Sequence, residues 1–169
     1  MPAIVSCFVD CHIFRRLPAD GKGRDEWLLL KRATHIRLGG SWQMVSGTIE
    51  PGEKAYECAA RELVEETGLV PLHFYQASFV NRFYLAATDE VVLTPVFAAE
   101  VAADAAVTLS EEHTDYEWVP PDEALRRYPW PGQREALGII REQFVLNEAR
   151  PESRLDALLL ASGHNMQPT

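Results

Sequence analysis

The sequence has few cysteines and no long apolar run, and each absence excludes a class of protein. Its three cysteines, Cys7, Cys11 and Cys58, are an odd number and form no Cys-x-x-Cys pair, which excludes a disulfide scaffold and gives little support to a zinc site. No apolar stretch reaches the roughly 18 residues of a membrane-spanning helix. The N-terminal segment lacks a basic region and a clear cleavage site. We therefore expect reduced thiols, no membrane partner and a cytoplasmic location.

Positive charge is also scarce. The chain carries 16 Lys and Arg against 25 Asp and Glu, a formal net charge of -9, and its basic residues form no stripe. This distribution excludes a surface built for long nucleic acid. A small phosphorylated ligand is compatible with it, because a divalent metal can offset the ligand's charge.

The hydrophobic pattern predicts strands, a helix, further strands and two more helices. The predicted strands are 3–14, 27–33, 42–49, 72–87 and 90–101, and the predicted helices are 54–67, 120–128 and 132–149. On the first helix, which Gly68 should end, the core-facing residues are predicted to be Tyr56, Ala59, Ala60, Leu63, Val64 and Thr67. This order is typical of a mixed α/β domain with helices covering a sheet. We predict one domain, 1–150, and a C-terminal tail, 151–169, that holds at most a short helix.

The end of the first predicted helix concentrates acid. Glu62, Glu65 and Glu66 are spaced i, i+3 and i+4, which places all three on one helix face, and Glu53 in the preceding turn can join them. Acid near a helix C-terminus opposes the macrodipole, and Arg61 alone cannot neutralise the cluster. Two interpretations remain open: a solvated acidic face, or carboxylates that bind a divalent cation such as Mg²⁺.

The spacing of these residues resembles the Nudix box. Five residues separate Gly47 from Glu53, seven more precede Arg61, and the chain then reads Arg-Glu-Leu-Val-Glu-Glu-Thr-Gly-Leu through Leu69. This agrees with the family pattern at every fixed or restricted position. The flanking strands also look like that family's α/β/α sandwich. The resemblance therefore implies an α/β fold with a mixed β-sheet, and hydrolysis of a nucleoside diphosphate linked to another moiety.

The resemblance also implies a role for each residue of the box. Glutamates at the positions of Glu62, Glu65 and Glu66, here called the box glutamates, usually bind Mg²⁺ or Mn²⁺ in that family. The glycine matching Gly47 often gives its carbonyl oxygen to a metal. The glutamate matching Glu53 often assists, directly or through water.

An arginine at the position of Arg61 orients a glutamate through a salt bridge in that family. Metal ions in such a site bridge phosphate oxygens and lower the pKa of the attacking water.

Two features outside the box resemble the branch of dATP pyrophosphohydrolase and dihydroneopterin triphosphate pyrophosphatase. Trp42-Gln43 precedes a Val-Ser-Gly turn where many relatives have Pro-Gly-Gly, and "EEHTDYEW" is similar to that branch's Glu-His loop. In several Nudix enzymes a carboxylate on this loop is the general base, so Glu112 is the first candidate and Glu111 the second. The alternative is a pair of surface acids. The predicted substrate is a dNTP or dihydroneopterin triphosphate.

Three residues are candidates for substrate contacts. Arg32 ends a strand where relatives often carry arginine, His35 lies in the next loop, and Trp42 could stack on a base; a surface charge and a core tryptophan are the alternatives. Tyr84 keeps open a hydrolase of dinucleoside polyphosphates. A non-catalytic nucleotide-sensing domain is a further alternative, although such domains tend to lose the box glutamates. We expect a small nucleotide-like substrate and a monomer or homodimer.

Overall fold

A computed structural model describes residues 1–18 and 24–163. Within them one sheet is formed by Ala3–Val5 (β1), Phe8–Leu17 (β2), Arg24–Arg32 (β3), Trp42–Gln43 (β4), Val45–Thr48 (β5), His73–Leu85 (β6), Glu90–Val101 (β7) and His113–Val119 (β8). The α-helices there are Ala55–Thr67 (α1), Pro121–Arg127 (α2), Pro131–Ile140 (α3) and Asp156–Ala161 (α4). In the described residues, no helix is both long and apolar enough to cross a membrane.

The sheet is mixed, and it opens at one end. β7 runs parallel to β1 and β2, whereas its pairing with β6 is antiparallel. β2 and β3 pair only near one end, from Phe14 opposite Trp27 to Leu17 opposite Arg24, and then separate. The segment 42–48 lies between them, pairing first with β3 and then with β2. The single strand predicted over 42–49 is therefore two short strands that exchange partners at Met44.

Helices cover both faces of the sheet. The side chains of β2 alternate between these two faces and so contribute to both cores. Val9, Cys11 and Ile13 pack on the side of α1 and α4. Phe14 belongs to the opposite core, which α2 and α3 close. This arrangement is the predicted α/β/α sandwich. The described cysteines are free thiols, as predicted: Cys11 and Cys58 are buried and Cys7 is partly buried.

Helix α1 has defined ends. The carboxylate of Glu57 accepts a hydrogen bond from the Lys54 backbone N–H (3.0 Å), and Gly68, at φ 67°, donates its N–H to Val64 (2.8 Å). The predicted stop at Gly68 is confirmed. The predicted burial of Val64 is wrong, since its side chain is 46% exposed, and Glu66 is buried instead. The helix is rotated so that its acidic edge lies against β5, which an apolar stripe alone does not indicate.

The C-terminal region packs more closely than the sequence predicts. The long helix predicted over 132–149 ends as α-helix at Ile140 and continues in wider, π-type turns to Leu146, with Phe144 stacked on Tyr75 (4.5 Å between centroids). The short helix predicted in the tail is present as α4. Its Leu159, with Leu155 before it, lies in the core beside α1. Residues 164–169 of the predicted tail lie outside the described residues.

Candidate active site

One guanidinium ties together three carboxylates of the box. Arg61 Nε and Nη2 donate to the two oxygens of Glu53 (2.8 and 3.1 Å), and Nη1 donates to Glu62 Oε1 (2.8 Å) and Glu65 Oε2 (3.0 Å). The salt bridge that the resemblance implied for Arg61 is therefore present in the structure. Three negative groups share one positive group, so a net negative charge remains.

Glu53 is the best satisfied of these acids. Besides Arg61, it accepts a hydrogen bond from the Glu50 backbone N–H (3.0 Å), which closes the turn before α1. The hydrogen bonds from Arg61 lower the pKa of Glu53 to about 2. Glu53 is therefore fixed as a carboxylate at the entrance of the helix, beside the other acids.

Glu66 is the least satisfied acid. Its side chain is on the buried edge of α1, the residue is 3% exposed, and Oε2 has no hydrogen-bond partner. Burial, and then the charges of Glu62 and Glu112, raise the pKa of Glu66 to about 9. Burial also raises the pKa of Glu62, although Arg61 opposes this shift. A buried carboxyl with an open oxygen is suited to a cation that the protein itself does not supply.

Two buried polar side chains lie beside Glu66. His113 Nε2 is 3.8 Å from Glu66 Oε2 and 3.4 Å from Gln43 Nε2. Burial lowers the pKa of His113 to about 4, so at neutral pH this is a contact between two uncharged groups rather than an ion pair. Gln43 and His113 belong to the sequence patterns Trp-Gln and Glu-His, but no role was predicted for either residue. Their place in these patterns is the one sequence feature that could have pointed to them.

Gly47 brings the backbone of β5 directly against the acids. A Cβ atom built at this position would lie 2.2 Å from Glu62 Cγ, so any side chain would displace the glutamate. The need for glycine is therefore a close approach of strand and helix. It places the Gly47 peptide beside Glu62.

The loop before β8 brings Glu112 to the same place. It docks on the end of α1, where Thr108 N–H donates to Thr67 O (2.8 Å) and Ser110 N–H donates to Glu66 O (3.2 Å). The negative charge of Glu112 acts on both Glu62 and Glu66, raising the pKa of each. Of the two loop acids, Glu112 is therefore the one whose charge acts on these box glutamates.

The three candidates for substrate contacts have different positions. The positive charge of Arg32 lowers the pKa of Glu66, which places Arg32 at the site, and its Nε donates to Arg37 O (3.0 Å). The Trp42 ring is already in contact with the guanidinium of Arg127, 4.8 Å from the ring centroid. His35 is exposed in the turn after β3. Of the three candidates, Arg32 is therefore the one whose charge acts on a box glutamate.

The donor set suits a hard divalent cation. Carboxylates and a peptide carbonyl are the oxygen ligands of Mg²⁺ and Mn²⁺, and the open oxygen of Glu66 lies in the same cluster. In the part of the chain that the structure describes, no three acidic, histidine or cysteine groups are already closed around one point as ligands. The reason is visible in Arg61, which holds Glu62 and Glu65 to itself.

Comparison with known proteins agrees with this arrangement. The sequence profile of the NUDIX domain matches residues 16–138. An octanoyltransferase of Myxococcus xanthus is 42% identical over 120 residues, which cover 69% of this chain and 33% of the relative, so the chain spans about a third of that protein. The nucleoside triphosphatase NudI of Salmonella newport is 29% identical over 105 residues, 57% of this chain and 74% of the relative.

Solved structures show the same fold. The MutT protein of Methanosarcina mazei Go1 superposes with a TM-score of 0.64 at 27% identity, covering 85% of this chain and 97% of that one. An Ap4A hydrolase of C. elegans (TM-score 0.68, 20% identity, 85% and 99% covered) and the dihydroneopterin triphosphate pyrophosphohydrolase of E. coli (0.57, 23%, 82% and 98%) are similar in fold alone. They do not separate the predicted branch from its alternative. The complete box and the profile match nevertheless establish that the chain belongs to the Nudix family.

Proposed function

We propose that this chain is a Mg²⁺- or Mn²⁺-dependent hydrolase that cleaves a pyrophosphate bond in a nucleoside triphosphate-like substrate. The observation that carries the proposal is Glu66, a buried carboxyl with an unpartnered oxygen beside Glu62 and Glu112. A purely structural acid would be paired or exposed. The relative NudI, whose name is nucleoside triphosphatase, supports the substrate class.

In this proposal each residue of the site has a role that follows from its position. Glu62, Glu65 and Glu66 would hold the metal together with the Gly47 carbonyl, and Arg61 orients Glu62 and Glu65. A bound divalent cation would neutralise phosphate charge and lower the pKa of the attacking water. This chain's own residues orient the phosphates and accept the proton.

Glu112 takes that proton as the water oxygen bonds to phosphorus. The bond from that phosphorus to the bridging oxygen breaks, and the leaving phosphate carries away the electron pair. Arg32 lies close enough to Glu66 to act on its pKa and is positioned to pair with a phosphate oxygen.

A dNTP or dihydroneopterin triphosphate is the substrate that we favour. The support is the pair Trp42-Gln43 and the Glu-His loop, which place Gln43 and His113 together beside Glu66. Tyr84, on which the dinucleoside polyphosphate alternative rests, is exposed near the β6–β7 turn and donates its hydroxyl to Asp89 (2.8 Å).

The test measures hydrolysis by the Glu65→Gln and Glu66→Gln variants with Mg²⁺. The panel contains the four dNTPs, dihydroneopterin triphosphate and diadenosine tetraphosphate. Loss of a charged metal ligand should lower kcat at least about 100-fold for Glu66→Gln, because such ligands supply several kcal/mol to the transition state. Glu148→Gln, an exposed acid outside the box, is the matched control. Wild-type rates in both box variants would reject metal-dependent catalysis, and clear preference for diadenosine tetraphosphate would reject the substrate class.

A further inference from the structure

A second polar cluster lies on the face of the sheet opposite α1. Asp10 on β2 has Ser46 of β5 as its ladder partner on one side and Val96 of β7 on the other. Thr94, two residues before Val96, has Asn81 of β6 as its partner. Side chains that are opposite or two apart share a face, so Asp10, Ser46, Asn81 and Thr94 form one polar row, here called the Asp10 row. The box mechanism uses none of these side chains.

Asp10 is a buried acid, and one of its two carboxyl oxygens already accepts a hydrogen bond. The residue is 7% exposed, and its Oδ2 accepts a hydrogen bond from Asn81 Nδ2 (3.2 Å), the one side-chain partner it has among the described residues. Burial raises the pKa of Asp10 to about 7. The other oxygen, Oδ1, has no side-chain partner among the described residues and is available as an acceptor.

Asn81 is held so that its amide nitrogen is directed at Asp10. Its Oδ1 lies against the start of α3, where a Cβ atom built on Gly132 would come within 2.0 Å of it. Thr94 is buried and its hydroxyl has no hydrogen-bond partner. The row therefore contains a buried hydroxyl without a hydrogen-bond partner and a carboxyl group with one oxygen free of side-chain partners. A ligand that hydrogen-bonds to these groups would satisfy them.

The row is also close to the proposed reaction centre. Ser46 precedes Gly47, whose peptide lies against Glu62, and directly opposed residues in antiparallel strands are about 5 Å apart. Ser46 and Asn81 are half-buried, and the exposed Trp130 precedes α3 at the same end. A substrate with its phosphates at the box can therefore direct its other end toward the opening between β2 and β3.

We propose that Asp10 is a specificity residue whose free carboxyl oxygen accepts a hydrogen bond from an exocyclic amino group of the substrate's heterocyclic base. Asn81 is its positioning residue. This inference rests on the proposed hydrolysis of a nucleoside triphosphate-like substrate. A carboxyl oxygen selects for donors, so the preferred bases carry an amino group, and a base that lacks this donor leaves the acid unpaired.

The experiment compares substrates that differ in one amino group. dGTP is paired with deoxyinosine triphosphate, and dATP with the deoxyribonucleoside triphosphate of unsubstituted purine, and kcat/KM is measured for wild type and Asp10→Asn. Wild type should prefer the amino-bearing member of at least one pair about tenfold or more. Asp10→Asn, which presents N–H in place of an acceptor, should reduce that ratio to within about threefold of unity while Mg²⁺ activation is unchanged. Asn81→Ser should reduce the same ratio by a smaller factor.

Controls separate this proposal from the proposed function. Cys11→Ala alters the neighbouring residue on the opposite face of β2 and should leave the ratio intact. Binding of the non-hydrolysable imido analogues, measured with Ca²⁺, reports base discrimination even if no substrate is cleaved. Hydrolysis with an unchanged ratio in Asp10→Asn overturns the role of Asp10 alone. Discrimination in binding without hydrolysis overturns the proposed function alone.

Discussion

At the scale of single residues, the two acids on the loop before β8 differ in their effect on the box glutamates. Glu111 and Glu112 are adjacent and both exposed, but only Glu112 is among the charges that shift the pKa values of Glu62 and Glu66. The sequence predicted that one of the two mattered and ranked Glu112 first. It could not show the docking of this loop on the end of α1, because that contact uses backbone groups of Thr108 and Ser110, which any residue carries.

Replacing Glu112 with Gln should lower kcat about 100-fold, because the amide cannot accept the proton from the attacking water. The isosteric change Glu111→Gln is the matched control and should leave kcat within about threefold of wild type. Both variants should bind Mg²⁺ as wild type does, measured by calorimetry without substrate. A larger loss of kcat in Glu111→Gln than in Glu112→Gln would reverse the assignment of the base.

For the secondary-structure elements, sequence periodicity predicted some features correctly and others wrongly. The spacing of apolar residues and Gly68 gave α1 nearly its true limits. The same periodicity put Val64 inside and Glu66 outside, because a hydrophobicity pattern has no information about a cluster that buries acids. It also joined 42–49 into one strand, since the exchange of partners at Met44 depends on β2 and β3, which are distant in sequence.

Substitutions in helix α4 can test whether the region after residue 150 contributes to the core. Leu159→Ala should lower the free energy of unfolding by about 2–5 kcal/mol, because Leu159 is fully buried beside α1. Leu158→Ala removes the same atoms from the exposed side of the same helix and should change it by less than about 1 kcal/mol. Urea denaturation measures both. Equal effects would mean that α4 does not contribute its buried face to the fold.

At the scale of the whole molecule, the chain folds around a group that favours a proton or a metal. The pKa of Glu66 is about 9 in the folded protein and near its ordinary value of 4.5 in the unfolded chain. The folded state therefore binds one proton more than the unfolded state between these values. Its contribution to stability is complete below pH 4.5 and is lost as pH rises through about 9. Asp10 acts in the same direction, but only up to about pH 7.

Without divalent metal, we therefore expect the wild-type free energy of unfolding to fall between pH 5 and 9 relative to that of Glu66→Gln, which has no proton to lose. Urea denaturation in EDTA at pH 5, 7 and 9 gives both values. Mg²⁺ should weaken the wild-type dependence, because the metal takes the place of the proton. A difference between the two proteins that stays constant with pH would show that Glu66 is not buried in this way.

The overall fold and the box glutamates were easier to predict from the sequence than the Asp10 row. The mixed α/β sandwich followed from the order of patterns, and the box glutamates followed from fixed spacing. The Asp10 row did not, because its members come from four strands and meet only through sheet register. The substrate's base thus depends on contacts that no local pattern contains, and relatives of similar fold do not identify it.

The segment 42–48 has a consequence for the order in which the molecule folds. It pairs with β3 through Gln43 and with β2 through Val45, so its backbone amides gain full protection only when both strands are in place. Hydrogen exchange there should report the complete native state rather than either half of the sheet. The peptide of Gly47 belongs to this segment, so partly folded chains should lack the contact between Gly47 and Glu62 even when α1 has already formed.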